Sequence, residues 1–307
     1  MVEAMKVSYL FPGQGAQYVG MGKDLYENSP EAKCVFDEAE NILPEFGIKK
    51  LCFEGPIEEL TRTANNQVTI LVVSIAALRA LESKNIKGEV VASCGLSLGE
   101  LTSLVAVNSL KFSDAVRLVR RRGELMEDAS NKNPGGMASI IGMEEGSLRE
   151  ICKGTGSDIA NLNCPGQIVI SGTKASVESC CVEAVKKGAK KAIPLKVSGP
   201  FHSLLMKDAA ELFKKELEKI EFASPTIGIL SNVTADYERM PDEIRENLFK
   251  QFFSPVRFEE CIRKISSGGV DTFFEIGPGK VLKGLLRRID PNLKVCNIEK
   301  MEDIVKL

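Results

Sequence analysis

The chain has 307 residues, 44% hydrophobic and 27% charged, with a formal net charge of −2 at pH 7. That length accommodates one large core or a core plus a smaller domain, and a near-neutral balance argues against nucleic acid or an anionic membrane as the main partner. No run of 18 apolar residues occurs, and Met1–Lys6 lacks the basic flank and apolar core of a signal peptide, so a cytoplasmic protein is expected.

In chain order, Lys6 to Phe11 reads as a strand running into the turn Pro12-Gly13-Gln14-Gly15-Ala16-Gln17 ahead of a helix. The glycines let this backbone approach a ligand, but the spacing fits neither a phosphate-binding loop nor a dinucleotide fingerprint. A long helix from about Gln67 to Ser83 leads to a short apolar strand, Val90 to Cys94, and then a helix from Gly99 to Val107. A further helix, about Ser113 to Glu127, carries Ala115, Val116, Val119 and Met126 at helical spacing. The loop formers Asn131 to Gly136 then mark a boundary.

Beyond it, Met137–Met143 reads as a strand, Glu145–Lys153 as a helix, Asp158–Asn163 and Gln167–Ser171 as strands, Ser176–Lys187 as a helix and Lys191–Val197 as a strand. This βαββαβ order is that of a ferredoxin-like unit. Alternation of α and β resumes with helices at about Met206–Ile220 and Asp242–Phe252 and strands at Thr226–Ser231, Thr272–Ile276 and Lys294–Ile298. The expected organisation is therefore an α/β core, residues 1–131 and 198–307, interrupted by a ferredoxin-like subdomain, 132–197.

Two features carry chemistry. Ser97 lies between glycines in Gly95-Leu96-Ser97-Leu98-Gly99, and the only histidine, His202, lies in Gly199-Pro200-Phe201-His202-Ser203. Gly-x-Ser-x-Gly is the pattern of a nucleophile elbow, in which the glycines allow a sharp strand-to-helix turn and expose the hydroxyl at a helix N-terminus. With 26 glycines in the chain the match could arise by chance. The strand before it and the helix after it supply the context the elbow requires. A lone histidine is more often a surface or core residue than a catalyst, yet it is the one side chain here with an unperturbed pKa suited to proton transfer near neutrality.

Nine cysteines, odd in number and without a Cys-x-x-Cys pair, fit reduced core thiols, and with one histidine no metal site is expected. Arg120 and Arg121 read as solvated helix charges. Lys186, Lys187, Lys190 and Lys191 form a local basic cluster that suits either plain solvation or the steering of an acidic partner.

Five segments in order, FPGQGAQ at 11–17, GLSLGE at 95–100, VRRRGELM ending at Met126, GPFHSLLM at 199–206 and FEIGPG at 274–279, resemble the malonyl-CoA:acyl carrier protein transacylases and the related acyltransferase domains of polyketide synthases. The resemblance covers nearly the whole chain. It implies an α/β-hydrolase-like core with an inserted ferredoxin-like subdomain, and transfer of malonyl from malonyl-CoA to the phosphopantetheine thiol of acyl carrier protein through an acyl-enzyme, without metal or redox cofactor. By the same resemblance Ser97 is the nucleophile and His202 its general base. The backbone carbonyl of Gln251 orients the imidazole, and the amides of Gln14 and Leu98 form the oxyanion hole. Arg122 pairs with the malonyl carboxylate, Gln67 lines the pocket, and Phe201 marks malonyl selectivity. A surface position at a helix end is the alternative for Gln251, and a polar helix start is the alternative for Gln67. Two departures stand out: Leu96 replaces the usual elbow histidine, which puts the pocket wall in question, and Ser254 replaces an asparagine before Pro255-Val256. A thioesterase passing the acyl group to water and an inactive binding subunit are the rival readings.

Overall fold

The computed structural model describes residues 5–84 and 88–307; residues 1–4, part of the segment read for a leader, lie outside it. Ten strands occur among the described residues: β1 (Lys6–Phe11), β2 (Glu89–Gly95), β3 (Gly135–Ile141), β4 (Asp158–Cys164), β5 (Gln167–Thr173), β6 (Lys191–Pro194), β7 (Gly228–Leu230), β8 (Tyr237–Glu238), β9 (Thr272–Ile276) and β10 (Lys294–Ile298). They form two sheets. The larger has the order β10-β9-β1-β2-β7-β8 and is parallel except at its β7–β8 edge; the smaller has the order β4-β5-β3-β6 and is antiparallel throughout.

The parallel sheet is apolar on both faces because helices cover both. Val7, Tyr9 and Phe11 of β1 join one buried cluster, while Leu10, Ala92 and Cys94 join another with residues of the helices Phe258–Ser267 and Val281–Ile289. The helix Thr63–Glu82 is buried on nearly every side and fills the first cluster. By length and hydropathy it could cross a membrane, but 94% of its apolar window lies inside the protein, as expected of a core helix. A Cβ added at Gly123 would stand 2.7 Å from the Thr63 carbonyl oxygen. A glycine there lets Thr63–Glu82 and Phe112–Lys132 pack closely.

The smaller sheet has a third cluster of its own, built from Ala138, Ile140, Ile168 and Ile170 against the helices Glu145–Thr155 and Lys174–Lys186. Its strand order is that of a ferredoxin-like unit. The chain enters and leaves it side by side: a Cβ at Gly135 would press on Pro200, and one at Gly199 would stand 1.8 Å from Ser130 Oγ. Val256 joins the edge of β4 by donating to the Ala160 carbonyl and accepting from the Leu162 amide, both at 2.8 Å.

Most expected elements form within a few residues of their reading, and three details differ. The boundary loop shrinks to Asn133-Pro134, because the preceding helix continues to Lys132 and β3 begins at Gly135. The first glycine turn runs on through further turns to a helix at Lys23–Asn28. Helices at Pro30–Ile42, Phe258–Ser267 and Val281–Ile289 lie in segments with no element assigned from sequence. The first of these begins with Ser29, whose side chain accepts from the Ala32 amide, and with proline at the first turn, a start signal present in the sequence.

Candidate active site

β2 ends at Gly95 and the helix Leu98–Ala106 begins three residues later. Ser97 bridges them with φ 52° and ψ −97°, a positive-φ conformation that non-glycine residues adopt only when the surroundings enforce it. The flanking glycines are required by contact: a Cβ at Gly95 would lie 1.9 Å from the Gly99 carbonyl carbon, and one at Gly99 would lie 2.1 Å from the Phe11 oxygen. Asn232 holds the turn from the other side, accepting the Ser97 amide on Oδ1 at 2.7 Å and donating from Nδ2 to the Gly95 carbonyl at 2.8 Å.

His202 reaches Ser97 from the loop that leaves the small sheet. Nε2 lies 2.8 Å from Ser97 Oγ, and Nδ1 lies 2.7 Å from the backbone oxygen of Gln251. A carbonyl oxygen can only accept, so Nδ1 carries the proton and Nε2 is left free to receive one from the serine. Burial, with the charge of Arg122 adding to it, pushes the imidazole pKa down to about 4, against the opposing effect of the Gln251 carbonyl. The ring is neutral at pH 7.

Arg122 projects from the middle of Phe112–Lys132 and is 1% exposed. Its Nη1 donates to Gln67 Oε1 at 2.6 Å, and Nη2 donates to Ser97 Oγ at 3.1 Å and Gln251 Oε1 at 2.8 Å. Nε is buried and has no partner among the described residues. Burial lowers its pKa to about 10, opposed by the charge of Glu100, so the guanidinium stays protonated at neutral pH.

The remaining sequence-derived positions fall around the same cavity, of about 240 Å³. Gln67, Phe201 and Gln14 line it together with Ser97, His202 and Arg122. A Cβ at Gly13 would stand 2.4 Å from the Leu96 oxygen, so glycine there brings the first loop, and with it Gln14, against the elbow. The amides of Gln14 and Leu98 make no hydrogen bond among the described residues. Gln251 is 1% exposed, which removes the surface alternative, and Gln67 is buried one turn inside its helix, which removes the helix-start alternative. Leu96 is half-buried in the cavity wall.

Arg120, unlike the solvated helix charge expected from the sequence, donates to the Ala64 carbonyl and Asn65 Oδ1 and lies over the Phe46 ring, 4.6 Å from its centroid. Arg121 is more exposed and pairs with Glu124. The four lysines of the basic cluster are exposed and none lines the cavity.

Two buried residues of the site went unassigned from sequence, Glu100 and Asn232. Glu100 carried a signal, as the only charged residue of the helix Leu98–Ala106. Asn232 carried only its position just after β7, at the carboxyl end of a parallel strand, where open α/β sheets place their sites. The FEIGPG segment acts structurally: Glu275 accepts the Leu282 and Lys283 amides at the start of Val281–Ile289.

A family described as "Acyl transferase domain" matches residues 8–298. A malonyl CoA-acyl carrier protein transacylase of Bacillus subtilis (strain 168) is 48% identical, covering 97% of this chain and 95% of its own length; one from Staphylococcus aureus (strain MRSA252) is 42% identical, covering 97% of each. The crystal structure of an acyl-carrier-protein S-malonyltransferase from Bartonella henselae is similar at TM-score 0.94 and 40% identity, with 98% of both chains covered. A malonyl-transacylase in complex with a type II PKS acyl-carrier protein is similar at TM-score 0.94 and 37% identity, covering 98% of each chain.

Proposed function

The chain belongs to the acyl transferase domain family, and from that premise we propose how its site works. The protein is a malonyl-CoA:acyl carrier protein malonyltransferase, with malonyl-CoA and acyl carrier protein as its partners, and it serves fatty acid or polyketide synthesis. In the first half-reaction Ser97 Oγ attacks the thioester carbonyl while its proton passes to His202 Nε2. The amides of Leu98 and Gln14 stabilise the oxyanion. Collapse expels the coenzyme A thiolate, which takes the proton back from the imidazolium and leaves malonyl-Ser97. In the second half, the phosphopantetheine thiol gives its proton to His202 and attacks the ester carbonyl, and collapse releases Ser97, whose oxygen takes that proton back from the imidazolium.

One observation carries the choice of acyl group: the buried guanidinium of Arg122, with an unpartnered Nε–H, stands 3.1 Å from the nucleophilic oxygen. A fork of donors so close to the reacting centre suits an acyl group ending in a carboxylate. Phe201 and Gln67 complete the wall around that group, and the carbonyl of Gln251 fixes the tautomer of the base. The catalytic core comprises residues 1–131 and 198–307 and the subdomain residues 132–197, a division supported by the separate apolar cluster of the small sheet. Nine free cysteines support a cytoplasmic location.

Intact-protein mass spectrometry after mixing with malonyl-CoA tests the mechanism. The wild-type chain should gain one malonyl group, Ser97→Ala none, and holo acyl carrier protein should remove the group faster than water does. An unchanged adduct on Ser97→Ala would sink the assignment.

A further inference from the structure

The helix that starts at the nucleophile carries a carboxylate with no part in the steps above. Glu100 is 0% exposed, and a charge there is costly unless hydrogen bonds and an opposite charge answer it. Its Oε2 accepts the Asn232 amide and Gln251 Nε2, each at 2.8 Å. Oε1 is buried without a partner among the described residues. Both residues held by that one oxygen act on the reacting groups. Asn232 fixes the Ser97 amide, while Gln251 accepts His202 through its backbone oxygen and Arg122 through Oε1, and donates to the Ser97 carbonyl at 3.2 Å.

Charge adds a second argument. The partners of Arg122 are Gln67, Ser97 and Gln251, all neutral. Glu100, one side chain further through Gln251, is a buried carboxylate whose field the guanidinium feels. Burial pushes Glu100 up to about 7, whereas the Asn232 amide, Gln251 and Arg122 favour its ionised form. Glu238, the other buried carboxylate whose charge couples to Glu100, is raised by burial and by Glu100 itself, which favours a neutral Glu238 beside an ionised Glu100.

We propose that Glu100 is the positioning residue of this site, fixing Ser97, His202 and Arg122 through Asn232 and Gln251 and acting as the resting counter-charge of Arg122. This rests on the reading of those three as nucleophile, base and carboxylate clamp. A malonyl carboxylate arriving at Arg122 takes over the role of that counter-charge. Glu100 therefore weakens malonyl binding relative to acetyl binding while its hydrogen bonds favour the chemical step.

The two effects separate by substitution. Glu100→Gln keeps a carbonyl oxygen able to accept both hydrogen bonds and removes the charge; Glu100→Ala removes both. Single-turnover acylation, followed at increasing malonyl-CoA or acetyl-CoA, reads binding and rate independently. Glu100→Gln should bind malonyl-CoA at least about fivefold more tightly, the low end of ordinary coupling between sites, with acetyl-CoA affinity unchanged and the acylation rate close to wild type. Glu100→Ala should slow acylation of both substrates by about 10²-fold, the cost of a misplacement of roughly 1 Å. Malonyl affinity that is unchanged or weaker in Glu100→Gln, or affinities for both substrates moving together, would overturn the counter-charge. A normal rate in Glu100→Ala, or a Gln variant as slow as Ala, would overturn the positioning, and if Glu100→Ala does not fold the Gln variant decides alone. Arg122→Ala with the same two substrates tells apart the two failures: if it does not discriminate malonyl from acetyl, the underlying reading falls, and if it does, a flat Glu100→Gln result rejects Glu100 only.

Discussion

The six-stranded and four-stranded sheets border the same cavity and give it different things. The parallel sheet contributes strand ends: Gln14 follows β1, Ser97 follows β2 and Asn232 follows β7, so backbone turns and helix starts converge on one point. The antiparallel sheet contributes a face. Met137 and Ser139 on β3, Asn161 and Asn163 on β4, and Gln167 and Val169 on β5 sit two residues apart and line the cavity, while the intervening Ala138, Leu162 and Ile168 fill the small sheet's own core. Convergent ends can hold a nucleophile and an oxyanion, with the base brought to them by the loop that follows β6; a flat face can only wall them in. Chemistry should therefore respond to substitutions at the ends of the large sheet, and stability to those behind the small one.

His202→Ala tests the first half of that contrast most severely. Transfer should fall by about 10² to 10⁴-fold, the range of a general base, with the fold retained in circular dichroism. The pH dependence checks the same residue from another direction. Its pKa is lowered, so the neutral, proton-accepting ring persists as pH falls through 6.5, and the acylation rate should break only towards about 4. Glu100→Gln should keep that break, since it removes a different group, the buried carboxylate raised to about 7. A break at 6.5 or above in both proteins would mean that the ring is solvated.

How far this arrangement was legible in the sequence follows from the same contrast. The elbow was readable because its demands are local: two glycines, a serine, a strand before and a helix after. The small subdomain was readable because its short strands and helices follow one another in the βαββαβ order. The Glu100–Gln251–Asn232 network was not, because Glu100 lies more than 130 residues from both of its partners and meets them only when β2, β7 and the helix Pro241–Gln251 come together. The environment of Arg120 was hidden for a related reason: its neighbours Ala64 and Asn65 belong to another helix and Phe46 to a turn, and nothing in its own helix reveals them. Gln251 and Gln67 stayed open in the sequence because a glutamine at a helix end looks alike whether it faces water or a buried arginine.

Arg122→Ala comes next in size and is selective. Stranding a buried carboxylate costs about 3 to 5 kcal/mol, so malonyl transfer should drop by roughly 10² to 4 × 10³-fold, at about 1.4 kcal/mol per tenfold. Acetyl has no charge to strand and should lose little. Parallel rates with malonyl-CoA and acetyl-CoA measure this, and an equal fall for both would make Arg122 structural. Leu96→His should do less. The elbow depends on Gly95 and Gly99, not on this half-buried side chain in the cavity wall, so turnover should change by less than about tenfold, or about 1.4 kcal/mol of barrier. Complete inactivation would show that the wall has been rebuilt around leucine.

The smallest effect expected on chemistry is also the sharpest test of the contrast. Ile170 on β5 is fully buried in the small sheet's cluster and points away from the cavity, which its neighbour Val169 lines. Ile170→Ala should cost about 2 to 5 kcal/mol of stability, the usual toll of truncating a buried aliphatic side chain, read as a lower midpoint in urea unfolding. Below that transition Ser97, His202 and Arg122 keep their partners, all of which lie outside the small sheet's core. Malonylation of Ser97 should then proceed at a rate close to wild type. The wall is nonetheless attached to the site, since the chain returns from β6 through Pro200 and Phe201 straight into His202. If Ile170→Ala slowed acylation as strongly as it lowered stability, packing behind the small sheet would be setting the position of the base, and the division between a reacting sheet and a walling sheet would fail at that loop.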